Sequence, residues 1–419
     1  MPRLLTIAAI AACYFLFAIL LNSVGTVILQ SINSFGVSKP DASVLEGFKD
    51  LSIAGVSFLV ASFIPRAGYK LAMLTGLVLV GVLCAIVPSV GSFWMIKLLF
   101  AGIGTAFALV KVSVYAIIGQ LSTTTRAHSS LMNTIEGIFM LGVLSGYWIF
   151  SAFIDPNDVN SPQWLSVYYL LALLSVATLI MVMLAPIERE SLPVQNGKLL
   201  AEFFSMLKLV YQPLVLIFVL SVFMYVLIEQ GIGSWLPTFN KEVLGLPVQI
   251  SIQITSVFAV SLAIGRLLAG VVLRRVNWYP FLNVCLLLMA ALIIISLPLA
   301  QKVPAGSVTS IWHVPPAALL FPLIGLLMAP LYPVLNSVML SALPRRQHAP
   351  MTGLIVVFSA LGGTTGSIIT GYIFDAIGGQ KAFFLSLIPI GLILITLFFF
   401  RRSSQAVSAS STTTLTNEI

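Results

Sequence analysis

Four ionisable residues stand where the surrounding sequence is otherwise apolar: Lys111, Glu136, Glu229 and Arg266. A charge inside a lipid-spanning helix costs roughly 2.5–3.5 kcal/mol on insertion scales, so it persists where it meets a partner, a proton or a polar solute. Lys111 with Glu136 has the chemistry of a buried ion pair, and equally that of a carboxylate that takes up and releases a proton. Glu229 opens the stretch Glu229-Gln230-Gly231-Ile232-Gly233-Ser234-Trp235. Two glycines there loosen a helix, which then presents backbone groups to a solute; in the structural reading Glu229 bonds the freed amides instead. Arg266 suits pairing with a carboxylate, capping of carbonyls, or anion binding. Asn22, Asn133, Gln230 and Asn336 are amides that can meet the hydroxyl edge of a sugar. Tyr115, Tyr147, Trp148, Tyr225 and Trp235 can cover its apolar face. Each of these taken alone is also an ordinary packing residue between helices. Glu46, Lys49 and Asp50, at i, i+3 and i+4, read as a salt-bridge cluster at the membrane interface, with an outer gate as the alternative.

The composition sets what must position these groups. Of 419 residues, 59% are hydrophobic and 8% charged, against roughly 25% charged in an ordinary globular protein. So few charges cannot cover a water-facing surface; the solvent is lipid. A hydrocarbon core of ~30 Å needs about 20 apolar residues in a helix, and helices are the only form available to isolated runs of that length. Twelve such runs are predicted, near 4–30, 46–65, 71–89, 93–119, 131–153, 164–186, 211–237, 249–273, 279–300, 316–342, 351–374 and 382–400. Pro330 and Pro333 are expected to bend the tenth.

The fold class is therefore an all-α membrane protein: twelve transmembrane helices in two pseudo-symmetric six-helix bundles. Residues 1–186 form the first bundle, 187–209 a charged linker, 210–402 the second bundle, and 403–419 a disordered Ser/Thr-rich tail. Lys and Arg concentrate in the loops holding Arg3, Arg66, Lys70, Arg126, Arg189, Arg274 and Arg345 rather than in the opposite set with Lys39, Lys97 and Lys302. That bias places both termini and the linker in the cytoplasm, and the expected location is a bacterial cytoplasmic membrane. Cys13, Cys84 and Cys285 lie in apolar runs and read as small hydrophobes. His128, His313 and His348 are divided between the two sides of the membrane and cannot form one site. No phosphate loop, zinc spacing or nucleophile elbow occurs. The expectation is a non-enzyme without cofactor or metal, with no nucleic-acid partner, working as a monomer.

Three landmarks recur about half a chain apart. Arg66-Ala67-Gly68-Tyr69-Lys70 corresponds to Arg274-Arg275-Val276-Asn277-Trp278-Tyr279, Arg126-Ala127-His128 to Arg346-Gln347-His348, and Gly146-Tyr147-Trp148-Ile149-Phe150 to Gly371-Tyr372-Ile373-Phe374. A duplicated six-helix half with a site between the halves is a transporter architecture. With this pattern the chain resembles the major facilitator superfamily, and within it the fucose:proton symporter family. Gly36-Val37-Ser38-Lys39, Tyr69-Lys70, Thr75-Gly76-Leu77, Gly265-Arg266 and Gly362-Gly363 carry that likeness. The superfamily's basic loop signature is degenerate, with Pro65 where an Asp is usual. The sugar symporters' membrane carboxylates in spans 1 and 4 correspond to Gly25 and Lys111 here. The resemblance implies alternating-access transport of a small-molecule substrate coupled to protons. Two readings stay open: proton-coupled import of a small polar solute such as a sugar, with Glu136 releasing Lys111 when protonated, or antiport or export of organic anions or amphipathic compounds held by Lys111 and Arg266.

Overall fold

The computed structural model describes residues 2–122, 124–187, 206–300, 303–304, 307–308, 310–344 and 347–416. Most of the expected linker, together with Arg345 and Arg346, lies outside them. The regular structure among the described residues is all helical, with no strand among them. In chain order the helices are α1 (Pro2–Asn22), α2 (Val24–Phe35), α3 (Lys39–Ala67), α4 (Tyr69–Val90), α5 (Phe93–Leu121), α6 (Thr125–Ala152) and α7 (Val167–Leu184). After the linker come α8 (Pro213–Gly233), α9 (Leu236–Glu242), α10 (Val248–Val272), α11 (Trp278–Ser296), α12 (Pro316–Leu320), α13 (Ile324–Met328), α14 (Leu331–Ala342), α15 (His348–Ile377), α16 (Gly379–Phe384) and α17 (Leu387–Thr416).

Local chemistry explains where these helices stop and start. Gly36 adopts φ 61°, which ends α2. Ser38 then caps α3, its hydroxyl accepting from the Asp41 amide at 3.1 Å, with Pro40 in the first turn. Ser92 and Thr124 cap α5 and α6 in the same way. Among the described residues eleven segments are long and apolar enough to cross a membrane. The remaining long helix, α3, carries Lys39, Asp41, Glu46, Lys49 and Asp50 along its first half. It begins at Lys39, seven residues before the start that apolarity alone suggests. Glu46, Lys49 and Asp50 therefore lie turns inside the helix, buried against protein at 0%, 6% and 9% exposure.

Three helices break where the sequence offers a reason. Between α1 and α2, the Ser23 hydroxyl donates to the Leu20 carbonyl at 2.8 Å and the Asn22 amide to Ala18 at 2.9 Å, competing with the backbone ladder. Between α8 and α9 the expected loosening occurs, at Ser234–Trp235. The two breaks face each other: a Cβ on Gly25 would lie 2.8 Å from the Ser234 carbonyl oxygen. The span around Pro330 is interrupted more than bent, with Ala329–Pro330 separating α13 from α14 and a further turn at Phe321–Leu323. Residues 403–416, expected as disordered tail, instead continue α17; extending a formed helix needs no new nucleus.

Helices α1, α3, α4, α5, α6 and α7 pack on one another, and α8, α11, α14, α15 and α17 form a second group that α10 joins through α13. The two groups meet along a seam, where α3 lies on α15, α6 on α10 and α2 on α9. Leu173, Ile180, Leu267, Val271, Leu287, Ile295 and Ile388 point outward, as a lipid-facing surface requires.

Candidate substrate site

The seam encloses a cavity of about 120 Å³. A water needs roughly 10–15 Å³ by the same measure, so this space holds a group of waters or a small solute. Its polar wall comes from both groups of helices: Asn22, Glu46, Lys49 and Tyr147 on one side, Glu229, Gln230, Ser234 and Arg266 on the other. Phe139, Met140, Val143, Phe258 and Leu262 supply the apolar wall. Asn22 and Ser234 stand at the two helix breaks, so irregular backbone occurs where it borders a cavity and not lipid.

The carboxylates and cations here are arranged, not scattered. Lys49 donates to Glu46 in a tight ion pair and lies 3.5 Å from Asp50. The second Glu46 oxygen accepts from the Ser234 hydroxyl at 2.9 Å, a bond that crosses the seam. Glu229 accepts from the Tyr225 hydroxyl at 3.1 Å. Arg266 is close enough to act electrostatically on Glu229 but makes no ion pair within 4.0 Å among the described residues. Its guanidinium donates to the Met140 sulfur at 3.9 Å.

Of the residues singled out by sequence, Asn22, Tyr147, Glu229, Gln230 and Arg266 line this cavity. Tyr225 stands behind it and orients Glu229. Lys111, Tyr115 and Glu136 form a separate cluster on α5 and α6. The Lys111 ammonium lies over the Phe107 and Tyr115 rings, 5.7 and 5.8 Å from their centroids. The Tyr115 hydroxyl donates to Glu136 at 3.2 Å. Lys111 and Glu136 do not pair directly as their matching depth suggested. Tyr115, one turn beyond Lys111, comes between them, offering its face to the cation and its hydroxyl to the anion.

Asn336 is a neighbour of Tyr332, whose ring lies 5.8 Å from that of Tyr225. Asn133 is exposed and does not line the cavity. Two aromatic candidates are placed elsewhere. Trp235 is fully buried, packed on Phe374 at 5.5 Å, with its indole N–H bonded to the Ser367 carbonyl at 3.0 Å; it seals α9 to α15. Trp148 is 44% exposed and points away from the cavity that its neighbour Tyr147 lines, because successive helical residues point about 100° apart. Reading by sequence missed Glu46, Lys49 and Ser234 as lining residues. The signal was present in Glu46, Lys49 and Asp50, which share one face at helical spacing.

The family model of the Major Facilitator Superfamily matches residues 10–321. No curated protein sequence matches the chain significantly. Solved structures of similar fold include a mutant of the nucleoside transporter NupG, 15% identical with a TM-score of 0.74, covering 96% of this chain and 99% of that one. A bacterial homologue of the human lysosomal transporter Spinster, inward-facing and unoccupied, is 14% identical with a TM-score of 0.73 over 97% of this chain and 98% of that one. A mutant of the E. coli fucose:proton symporter is 16% identical with a TM-score of 0.61, over 96% of this chain and 99% of that one. At these identities the likeness is one of fold. The match to the family model extends over most of the chain, and the apolar helices and the polar cavity on the seam are the parts such a fold needs: the chain belongs to the Major Facilitator Superfamily, and is a multi-pass membrane transporter of small solutes, not an enzyme.

Proposed function

We propose that the protein imports a small polar solute across a bacterial cytoplasmic membrane by alternating access, using protons as the coupling ion and acting as a monomer. Twelve spans in two six-helix halves, 1–186 and 210–402, with both termini and the 187–209 linker in the cytoplasm, complete this reading. One observation carries it: the cavity lies between the two groups of helices and is walled by both, so a relative rocking of the halves changes its access.

The polar contacts that cross the seam gather at one end. Lys39 reaches Glu242 at 3.3 Å and Asp375 at 3.9 Å, Lys241 donates to Asn33, and Ser367 donates to the Ser43 carbonyl at 3.2 Å. In the proposed orientation that end is the outer one, and the cavity serves the cytoplasmic side in this state. Asn22, Gln230 and Tyr147 offer amide and hydroxyl groups to a solute. Phe139 and Phe258 offer ring faces that suit the apolar face of a sugar or nucleoside, the substrates named for the fucose symporter and the NupG transporter. Glu229 and Arg266 fix the orientation of whatever lies between them.

A screen of melting temperature against sugars, nucleosides, amino acids and organic acids tests the substrate class. Neutral polyhydroxylated solutes are expected to raise it, and the raise should be lost in Gln230→Ala. Stabilisation by organic anions alone, abolished in Arg266→Gln, would instead establish the anion-exchange reading, which the unpaired Arg266 guanidinium favours. Accumulation in proteoliposomes under an imposed proton gradient then tests the coupling; uptake indifferent to that gradient would refute it.

A further inference from the structure

The charges of Glu46, Lys49 and Asp50 do not cancel. Two carboxylates share one ammonium, and all three side chains are almost entirely buried. Among the described residues, the helices packed on α3 supply no second cation to this spot. Across the seam on α8 stands Glu229, with Arg266 on α10 within electrostatic reach of it but not in an ion pair. On α6 the nearest titratable group is Tyr147. On α5 the contact is made by Gly104, whose missing side chain leaves room for the Lys49 carbonyl, and Lys111 is about two turns further along. On α4, Tyr69 and Lys70 belong to the far end of the molecule, as does His348 on α15; Asp375 on α15 is engaged at the closed end with Lys39. With every group ionised, the seam holds one negative charge in excess.

Asp50 stands where the two halves touch. A Cβ on Gly363 of α15 would overlap its carboxylate oxygen, so α15 lies directly on that carboxylate. Glu46, in the same triad, is tied across the seam to Ser234. Closing this end therefore strips water from an unbalanced carboxylate, and opening it restores the water. Burying an uncompensated charge is far costlier than burying a neutral carboxyl group.

We propose that Asp50, held against Lys49, is the proton-binding group that couples the halves: a proton neutralises the triad as α3 closes on α15, and its departure opens that end. The step is a proton transfer alone; water at the open end supplies the proton and receives it. The proposal rests on the alternating-access reading and deepens it. It gives a carrier that cannot occlude its site from that side without a proton. Because the closed form holds one more proton than the open form, acid favours closure. One linked proton changes the closed-to-open ratio roughly tenfold per pH unit between the two forms' proton affinities.

The test uses the full chain in lipid nanodiscs with spin labels at Asn160→Cys and Ala376→Cys, on opposite halves at the closed end; the native cysteines are buried. Pulsed electron resonance measures the distance between the labels in acidic and alkaline buffer. The expected result is a short distance in acid giving way to a longer one in base. In Asp50→Asn the short distance should persist into base, since the triad is then neutral without a proton. Glu46→Gln should do the same and serves as the second variant if the first does not fold. Gly363→Ala should enlarge the open fraction at every pH by pressing on Asp50 without changing any charge. A parent whose seam opens in base while Asp50→Asn and Glu46→Gln open with the same midpoint overturns the assignment and leaves alternating access standing. A seam that ignores pH also overturns the assignment. If it ignores in addition every solute that raises the melting temperature, the alternating-access reading fails as well.

Discussion

Lys111 lies among aromatic rings instead of against a carboxylate, and this changes what its neighbours can do. An ammonium over two ring faces gains about 0.5–2 kcal/mol from each well-placed ring, which offsets part of the cost of its burial. Glu136, held by Tyr115, is then expected not to act as the release catch for Lys111 that a direct pair would have made it. Glu136→Gln should retain proton-driven accumulation, because Gln still accepts from Tyr115 and the lost charge assistance is about 1 kcal/mol. Uptake in proteoliposomes checks this: accumulation abolished while exchange survives would restore Glu136 to the coupling role. Lys111→Met should keep the fold, since the stem and its ring contacts remain, with a melting temperature within a few degrees of the parent for a change of about 1 kcal/mol. The sequence disclosed which spans carry charge, because any ionisable residue in such apolar runs stands out. It did not disclose direction. Tyr147 and Trp148 are adjacent and look equally suited to a sugar, yet the helical rotation puts only Tyr147 in the cavity wall. Trp235 looked like a stacking platform and is instead a seal, because its ring packs on Phe374 and its indole N–H bonds to Ser367, both on α15.

At the scale of elements, breaks and boundaries decide the site. The Glu-Gln-Gly-Ile-Gly-Ser-Trp stretch is legible as a loosened helix because two glycines and a serine cannot hold the ladder firmly. The matching break at Asn22–Ser23 is hidden inside an apolar run, since its cause is two side chains bonding back to carbonyls. The start of α3 was misplaced for a related reason. Apolar counting begins a span where charges end, whereas Ser38 and Pro40 start this helix earlier and bury its charges against protein. The approach of the two breaks makes a specific prediction. Gly25→Val puts a branched side chain where a single Cβ already meets the Ser234 carbonyl at 2.8 Å. Overpacking of this kind costs about 1–3 kcal/mol, and it acts on the closed form, because α2 and α8 part when the seam opens. The variant should therefore open the α2–α8 end and show faster protease cleavage in the 155–161 loop, with a modest fall in melting temperature. A variant that melts like the parent and is cleaved at the same rate would show that the break does not bear on closure.

For the whole molecule, the question is what holds the closed end closed. The halves touch there along α3 and α15, and the polar clasp of Lys39 with Glu242 and Asp375 sits on the rim of that contact. These side chains are partly exposed, at 20%, 31% and 51%, so each pair is worth about 0–1 kcal/mol and salt weakens it. Such a clasp cannot lock the carrier; it can bias it by up to roughly fivefold per pair. That is the useful range for a transporter, which must pass between states without falling into either. Ser43 lies just inside the clasp, fully buried, with its carbonyl bonded to Ser367 across the seam. A thiol there, in Ser43→Cys, is reached only when this end opens. A membrane-impermeant thiol reagent added to intact cells should label it slowly in the parent, and about threefold to fivefold faster when Lys39→Gln is added or when ionic strength is raised. The same labelling tests the orientation, since a clasp on the outer face admits the reagent and one on the cytoplasmic face excludes it. Labelling seen only after the cells are broken open would invert the proposed topology. A rate indifferent to both Lys39→Gln and salt would leave the helix contact as the whole of the gate.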